Sequence, residues 1–292
     1  MIDVHCHLNF HAFEKDYDEV IKDAFEKGVK KIINVGTKID SSEKAIKLAQ
    51  KYDNLYATVG VHPHHADKPV NSHPERSEGS PDEGNGDSSA KPQNDNGEDW
   101  IDELEKLAKN PKVVGIGECG MDFYRYKSNG IVDPKLQKDI FIKQIELSLQ
   151  LKLPLQIHNR HAGKEIIEIL NHYKNDLLNP SGMFHCMSGD LELLKKTLDL
   201  GFYIGFDGNI TYKGLAPGET TSLIDLVKET PIEKIVTETD APFLAPEPYR
   251  GRRNLPSYVI ITGQFIAGIK NIPFEKVEEQ TSLNASRILN LV

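Results

Sequence analysis

The chain has 292 residues, 38% of them hydrophobic and 27% charged, with a formal net charge of −9. That is an ordinary globular composition with enough apolar residues for a large core. The acidity excludes a broad basic surface that would wrap nucleic acid, but not a nuclease whose affinity is confined to one cation-loaded cleft. No apolar run approaches the roughly 20 residues that a spanning helix needs, and no basic-then-apolar start marks export. The expected setting is the cytoplasm, with no membrane and no obligate protein partner.

Apolar, β-rich runs alternate with helical patterns from the first residue onward. Residues 2–7, 29–35, 55–61, 112–117, 153–158, 182–185, 202–206 and 234–239 read as strands, apolar enough to be covered on both faces of a parallel sheet. Between them, Phe13, Tyr17, Val20, Ile21, Ala24 and Phe25 share one helical face before Gly28 stops the helix. Asp40-Ser41-Ser42-Glu43 supplies the next helix start. Leu191, Leu194 and Leu198 stripe a later helix, and Tyr258, Ile261, Phe265 and Ile269 another. Strand and helix alternating this often in one chain of this length predict an α/β fold, a single (β/α)8 TIM-type barrel over residues 1–292.

Residues 69–99 break the pattern, being Pro, Gly, Ser, Asn, Asp and Glu with almost nothing apolar. Such a stretch cannot bury enough surface to offset its ordering entropy, so it reads as a disordered or mobile insertion after the third strand, on the catalytic rim. A passive insertion is the simpler reading than a substrate lid, because loops lengthen at small cost.

Polar residues close several apolar strands. His5 and His7 lie two apart in a strand and point the same way, while Cys6 points the other. Glu118 follows the strand at 112–117, and His158, His185 and Asp240 close the strands that lead to them. C-terminal strand ends of a barrel converge on one mouth, so these six side chains are expected to meet there as metal ligands. Six ligands exceed one tetrahedral site with an open position and suit two divalent ions bridged by a carboxylate, Glu118. Imidazole with carboxylate accommodates Zn, Mn or Mg. The three cysteines, Cys6, Cys119 and Cys186, form no CxxC pair and read as small buried hydrophobes beside the site.

Asp3–His7, Gly60-Val61-His62-Pro63-His64, Gly117-Glu118-Cys119-Gly120-Met121-Asp122, Pro154–His158, Phe184-His185-Cys186-Met187-Ser188-Gly189, Glu238-Thr239-Asp240-Ala241-Pro242-Phe243-Leu244 and Tyr249-Arg250-Gly251-Arg252-Arg253-Asn254 follow one another along the chain. This series resembles the motifs of TatD-type metal-dependent deoxyribonucleases, from residue 3 to about 256. The resemblance implies two divalent ions, with His5, His7, Glu118 and Asp240 around one and Glu118, His158 and His185 around the other. It also implies hydrolysis of DNA, including exonucleolytic removal of nucleotides. Leu255 stands where the family usually has an acidic residue, and the 69–99 insertion lies outside the family pattern.

The expected chemistry is attack on phosphorus by a water activated between the ions, with Asp240 orienting or deprotonating it. His62 or His64 would contact a phosphate or protonate the leaving oxygen. Arg160, Arg250 and Arg252 are candidate contacts to the DNA or nucleotide substrate, and Asp122 a support for a ligand or loop. The same ligands would also serve an amidohydrolase-type enzyme cleaving a C–N or ester bond in a small molecule or aminoacyl-tRNA. A non-catalytic metal-binding scaffold is the third reading.

Overall fold

The computed structural model describes residues 1–67, 99–126, 130–216 and 218–291. Among these the strands are β1 (Ile2–Cys6), β2 (Lys31–Val35), β3 (Leu55–Val59), β4 (Val113–Asp122), β5 (Leu155–Arg160), β6 (Gly182–Phe184), β7 (Tyr203–Phe206) and β8 (Ile235–Thr237). They pair in sequence order, each pair parallel. A parallel bridge between Cys6 and Ala241 continues the pairing round to β1, with the His7 amide donating to the Ala241 carbonyl (2.7 Å) and the Asp240 amide to the His5 carbonyl (2.9 Å). The sheet is thus a nearly closed TIM-type barrel, as the alternation predicted.

The helices are α1 (Tyr17–Glu26), α2 (Ile39–Ala49), α3 (Asp99–Ala108), α4 (Pro134–Leu151), α5 (Gly163–His172), α6 (Leu191–Asp199), α7 (Leu223–Glu229), α8 (Val259–Lys270) and α9 (Phe274–Leu289). In β2, Ile32 joins the core under the helices while its neighbour Ile33 joins the barrel interior, the alternation a pleated strand imposes. The interior cluster contains Val4, Ile33, Met183 and Val236, together with Ala285, Ile288 and Leu289 of α9. This last helix plugs the N-terminal end of the barrel. Asn284 fastens it, donating from Nδ2 to the carbonyls of Ile232 (2.8 Å) and Ile235 (2.7 Å).

Several elements differ from the sequence expectation. The two glycines around Glu118 suggest that the strand stops at Gly117, yet β4 continues to Asp122 and β5 to Arg160. The neighbouring strands stay paired there, Gly120 with His158 and Asp122 with Arg160. Gly120 permits it: its φ is +137°, and a Cβ would lie 2.1 Å from the His158 carbonyl oxygen. Glu118 and His158 therefore sit inside strands rather than at their ends. Helix α2 starts at Ile39, so Asp40–Ser42 occupy its first turn, and Ser41 Oγ accepts the amides of Thr37 (2.8 Å) and Lys38 (3.0 Å). The buried face of α8 is Val259, Thr262, Gly263, Ile266 and Ala267, offset from the expected stripe, and Leu191 of α6 is 45% exposed. Of the expected insertion, residues 69–98 lie outside the described residues and Asp99 begins α3. Among the described residues no helix is long and apolar enough to cross a membrane.

Candidate metal centre

At the C-terminal mouth, side chains from six strand regions converge. His5 Nε2 and His7 Nε2 lie 3.2 Å apart, and Glu118 Oε2 is 3.5 Å from the first and 3.7 Å from the second. Asp240 Oδ1 approaches His7 Nε2 at 3.4 Å, His5 Nε2 at 3.8 Å and His185 Nε2 at 3.9 Å. On the other side of Glu118, Oε1 meets His158 Nδ1 at 2.9 Å, His62 Nε2 at 3.4 Å and His185 Nε2 at 3.9 Å. By proximity alone the donors fall into three overlapping groups: His5–His185–Asp240, His5–His7–Glu118 and His62–Glu118–His158. The six residues expected to meet do so, and His62 joins them.

The far nitrogen of each imidazole sorts ligand from proton donor. His7 Nδ1 donates to the Val35 carbonyl (3.0 Å), so its Nε2 carries the lone pair. His158 Nε2 faces Asp122 Oδ2 (3.2 Å), leaving Nδ1 for Glu118, and His185 Nδ1 faces Glu238 Oε1 (3.1 Å), leaving Nε2 for the centre. An acceptor behind the rings of His7, His158 and His185 aims each basic nitrogen at one place, as metal-ligating histidines require, while His5 Nδ1 is buried without a hydrogen-bond partner. These residues fit a divalent cation. His62 is the reverse case. Its Nδ1 accepts the His64 amide (3.1 Å), so the neutral ring carries its proton on Nε2, toward Glu118.

A second layer of carboxylates and amides holds this set. Asp3 accepts the amides of Thr239 (3.0 Å) and His5 (3.3 Å) on Oδ1 and the Thr239 hydroxyl (2.7 Å) on Oδ2, joining the first and last strands beneath the ligands. Asn254 donates to the carbonyls of Thr239 (2.7 Å) and Phe243 (2.6 Å), bracing the turn that carries Asp240. Asp122 gathers His64 Nε2 (2.8 Å), His158 and the Tyr126 hydroxyl (2.9 Å). Glu238 also accepts the Cys186 amide (2.6 Å). The sequence reading gave Asp3 and Glu238 no role. For Asp3 the signal was position, two residues before His5 on β1, which places it on the same side; Glu238 lies past the end of β8, where no such rule applies.

Burial opposes charge on Glu118, but His62, the His158 bond and His5 hold its carboxyl well below the usual range. Asp240 is likewise held down, against burial, by His7, His185 and His5. Burial, helped by the neighbouring His158, His64 and His65 and opposed by Glu118, keeps His62 well below the usual imidazole value, and so neutral. Burial acts the same way on His158, yet its bonds to Asp122 and Glu118 push it up to about 10. Two ionised carboxylates this deep demand compensating positive charge, which a divalent cation supplies once the ligand imidazoles release their protons. Burial pushes the thiols of Cys6, Cys119 and Cys186 up, and none joins a ligand group; Cys6 and Cys119 are buried, in line with their reading as small hydrophobes, whereas Cys186 is half-buried and its sulfur accepts from Asn209 Nδ2 (3.2 Å).

Of the expected substrate contacts, Arg160 and His64 lie beside the centre, reaching Tyr126 and Asp122 next to His158. Arg160 lies over the Tyr124 ring, its Cζ 4.0 Å from the centroid, and donates from Nη1 to the Tyr126 hydroxyl (2.7 Å). Arg250 stacks on Tyr212 at 4.0 Å, Arg252 is exposed, and His64 is bound to Asp122. Their neighbour Arg253 instead clamps Asp16 through both nitrogens (2.9 and 2.6 Å) and caps Phe13, which makes it a brace for α1.

A family described as TatD related DNase matches residues 2–290. An uncharacterized metal-dependent hydrolase of Bacillus subtilis, YabD, is 32% identical, covering 100% of this chain and 99% of the relative. The 3'-5' ssDNA/RNA exonuclease TatD of Salmonella typhimurium is 32% identical, covering 89% and 87%. Among solved structures, the TatD homolog YJJV of Escherichia coli K12 superposes with a TM-score of 0.81 at 24% identity, over 100% and 98% of the two chains, which supports the fold. The chain belongs to the TatD-related DNase family.

Proposed function

We propose that this metal-dependent hydrolase is a deoxyribonuclease that removes nucleotides from DNA by hydrolysing phosphodiester bonds, using two divalent cations, zinc, manganese or magnesium. One observation carries the reading: His7 and His158 are hydrogen-bonded from behind and His185 has the Glu238 carboxylate behind it, so that their basic nitrogens face the Glu118 and Asp240 carboxylates. His5, His7, Glu118 and Asp240 would hold one cation and Glu118, His158 and His185 the other. Bound there, such cations polarise phosphoryl oxygens and make water nucleophilic.

The remaining work belongs to the chain. Asp240, ionised and facing the imidazoles, takes a proton from the attacking water as oxygen bonds to phosphorus. The neutral His62 donates an Nε2–H hydrogen bond to the oxygen that leaves, easing the charge that builds there, and that oxygen takes its proton from solvent. Arg160 uses one donor on Tyr126 and has others to offer a phosphate. The name of the Salmonella relative supports a nucleic-acid substrate, and arginines at the mouth favour phosphate over a neutral amide.

A matrix of cations against single-stranded DNA, bis-p-nitrophenyl phosphate, simple amides and aminoacyl-tRNA tests this. The expected result is hydrolysis of DNA and the diester only, abolished by chelator and restored by metal. Cleavage of amides or aminoacyl-tRNA with inert DNA overturns the reading.

A further inference from the structure

Beside the Arg160–Tyr124 stack, a cavity of about 380 Å³ opens between the ends of β5 and β6 and the loop after β7, lined by Asn159, His161, Leu193 and Glu219 among others. Its walls are bare because Gly163 and Gly189 face Leu193: a Cβ on either would lie 2.5 or 2.7 Å from Leu193 Cδ2. His161 stands at its edge, with φ +57° and its ring 5.9 Å from that of Tyr124. The lining differs in kind from the metal mouth. It offers an apolar floor, an imidazole face, an amide and a carboxylate, and no lysine or arginine among the described residues.

We propose that this cavity is a nucleobase subsite, taking the base of the nucleotide whose phosphate Arg160 holds. The inference rests on the phosphodiesterase reading and deepens it. A phosphate would be repelled by Glu219 and finds its cation at Arg160, one residue from His161 and on the opposite face of the strand end from Asn159. A base has what the cavity asks for: a flat π-face to lie against His161 and Leu193, and ring or exocyclic N–H groups for Glu219 to accept. The volume also suits a base, being small for a second strand. Division of one nucleotide between a cationic stack and a slot without cations would make the enzyme favour nucleotide esters over simple phosphodiesters.

The test compares kcat/KM for the p-nitrophenyl ester of deoxycytidine 5′-phosphate with that for methyl p-nitrophenyl phosphate, in wild type and in Leu193→Trp and Glu219→Ala. The expected wild-type preference for the nucleoside ester is about tenfold or more, from base contacts of ordinary strength. Leu193→Trp, which fills the slot, should bring the ratio close to one, chiefly through KM. Glu219→Ala should lower it by about threefold, the share of one hydrogen bond. An unchanged ratio in both variants, or no wild-type preference, removes the subsite and leaves the phosphodiesterase reading standing. Failure of the wild type to cleave either ester removes both.

Discussion

The two ends of the same barrel are built from opposite materials. At the N-terminal end, Val4, Ile33, Met183 and Val236 meet Ala285, Ile288 and Leu289 of α9 in a sealed apolar plug. At the C-terminal end, a few residues further along the same strands, His5, His7, Glu118, His158, His185 and Asp240 face one another with little apolar material between them. β1 makes the change within its own length, from Ile2 and Val4 to His5. Like-charged and desolvated groups cost stability wherever they are gathered, and the plug together with the helix layer supplies the opposing term. The strands can therefore hold a reactive mouth without being reshaped by it.

If this division is right, changes at the mouth should alter chemistry and changes at the plug should alter stability. Glu118→Gln is the sharpest probe: kcat should fall by about a thousandfold or more, with metal content reduced and far-UV circular dichroism unchanged. Full activity with stoichiometric metal would break the bridging role. Ile288→Ala at the plug should cost about 2–4 kcal/mol in denaturant unfolding while kcat per folded molecule stays as in the wild type. His62→Ala should lower kcat by about a hundredfold with bound metal unchanged by mass spectrometry, since its far nitrogen accepts the His64 amide and leaves Nε2 a donor. Loss of an ion would make it a ligand instead.

The smallest effect lies between the two ends. Asp207 is buried, its Oδ2 without a partner, and burial next to Glu238 pushes its carboxyl up to about 8. Because the folded state holds this proton more tightly than the unfolded chain, stability falls as pH rises from about 4 to about 8. Asp207→Asn should remove that slope, stabilising the chelated protein by roughly 1–2 kcal/mol at pH 8 and by little at pH 4. Equal melting curves at pH 8 would show the carboxyl already ionised without cost.

The barrel and the six mouth residues could be read in the sequence because both leave local marks. Parallel strands covered on both faces must be apolar runs, and a histidine or carboxylate that closes such a run stands out against it. What could not be read depends on neighbours far along the chain. Where β4 and β5 stop is decided by the pairing of Gly120 with His158, and the two glycines locally resemble a turn. The direction of His62 follows from one backbone amide, and the braces Asp3 and Glu238 resemble any other strand acid until Thr239 and His185 are placed against them. Arg253 lies within a run of arginines that sequence treats alike, and only the position of α1 separates it as a clamp on Asp16. The role of α9 is similarly invisible, since an amphipathic helix does not reveal whether it flanks a barrel or seals one.

The seam between β1 and β8 has a consequence during synthesis. Asp3 and His5 precede Thr239 and Asp240 by more than two hundred residues, and Asp3 meets Thr239 only when both have left the ribosome. The complete ligand set and the closed wall therefore arrive in one event, once residues 239–241 are in place. A chain that stops short of residue 240 lacks part of the centre, so the hydrolase stays inert until its barrel wall is complete.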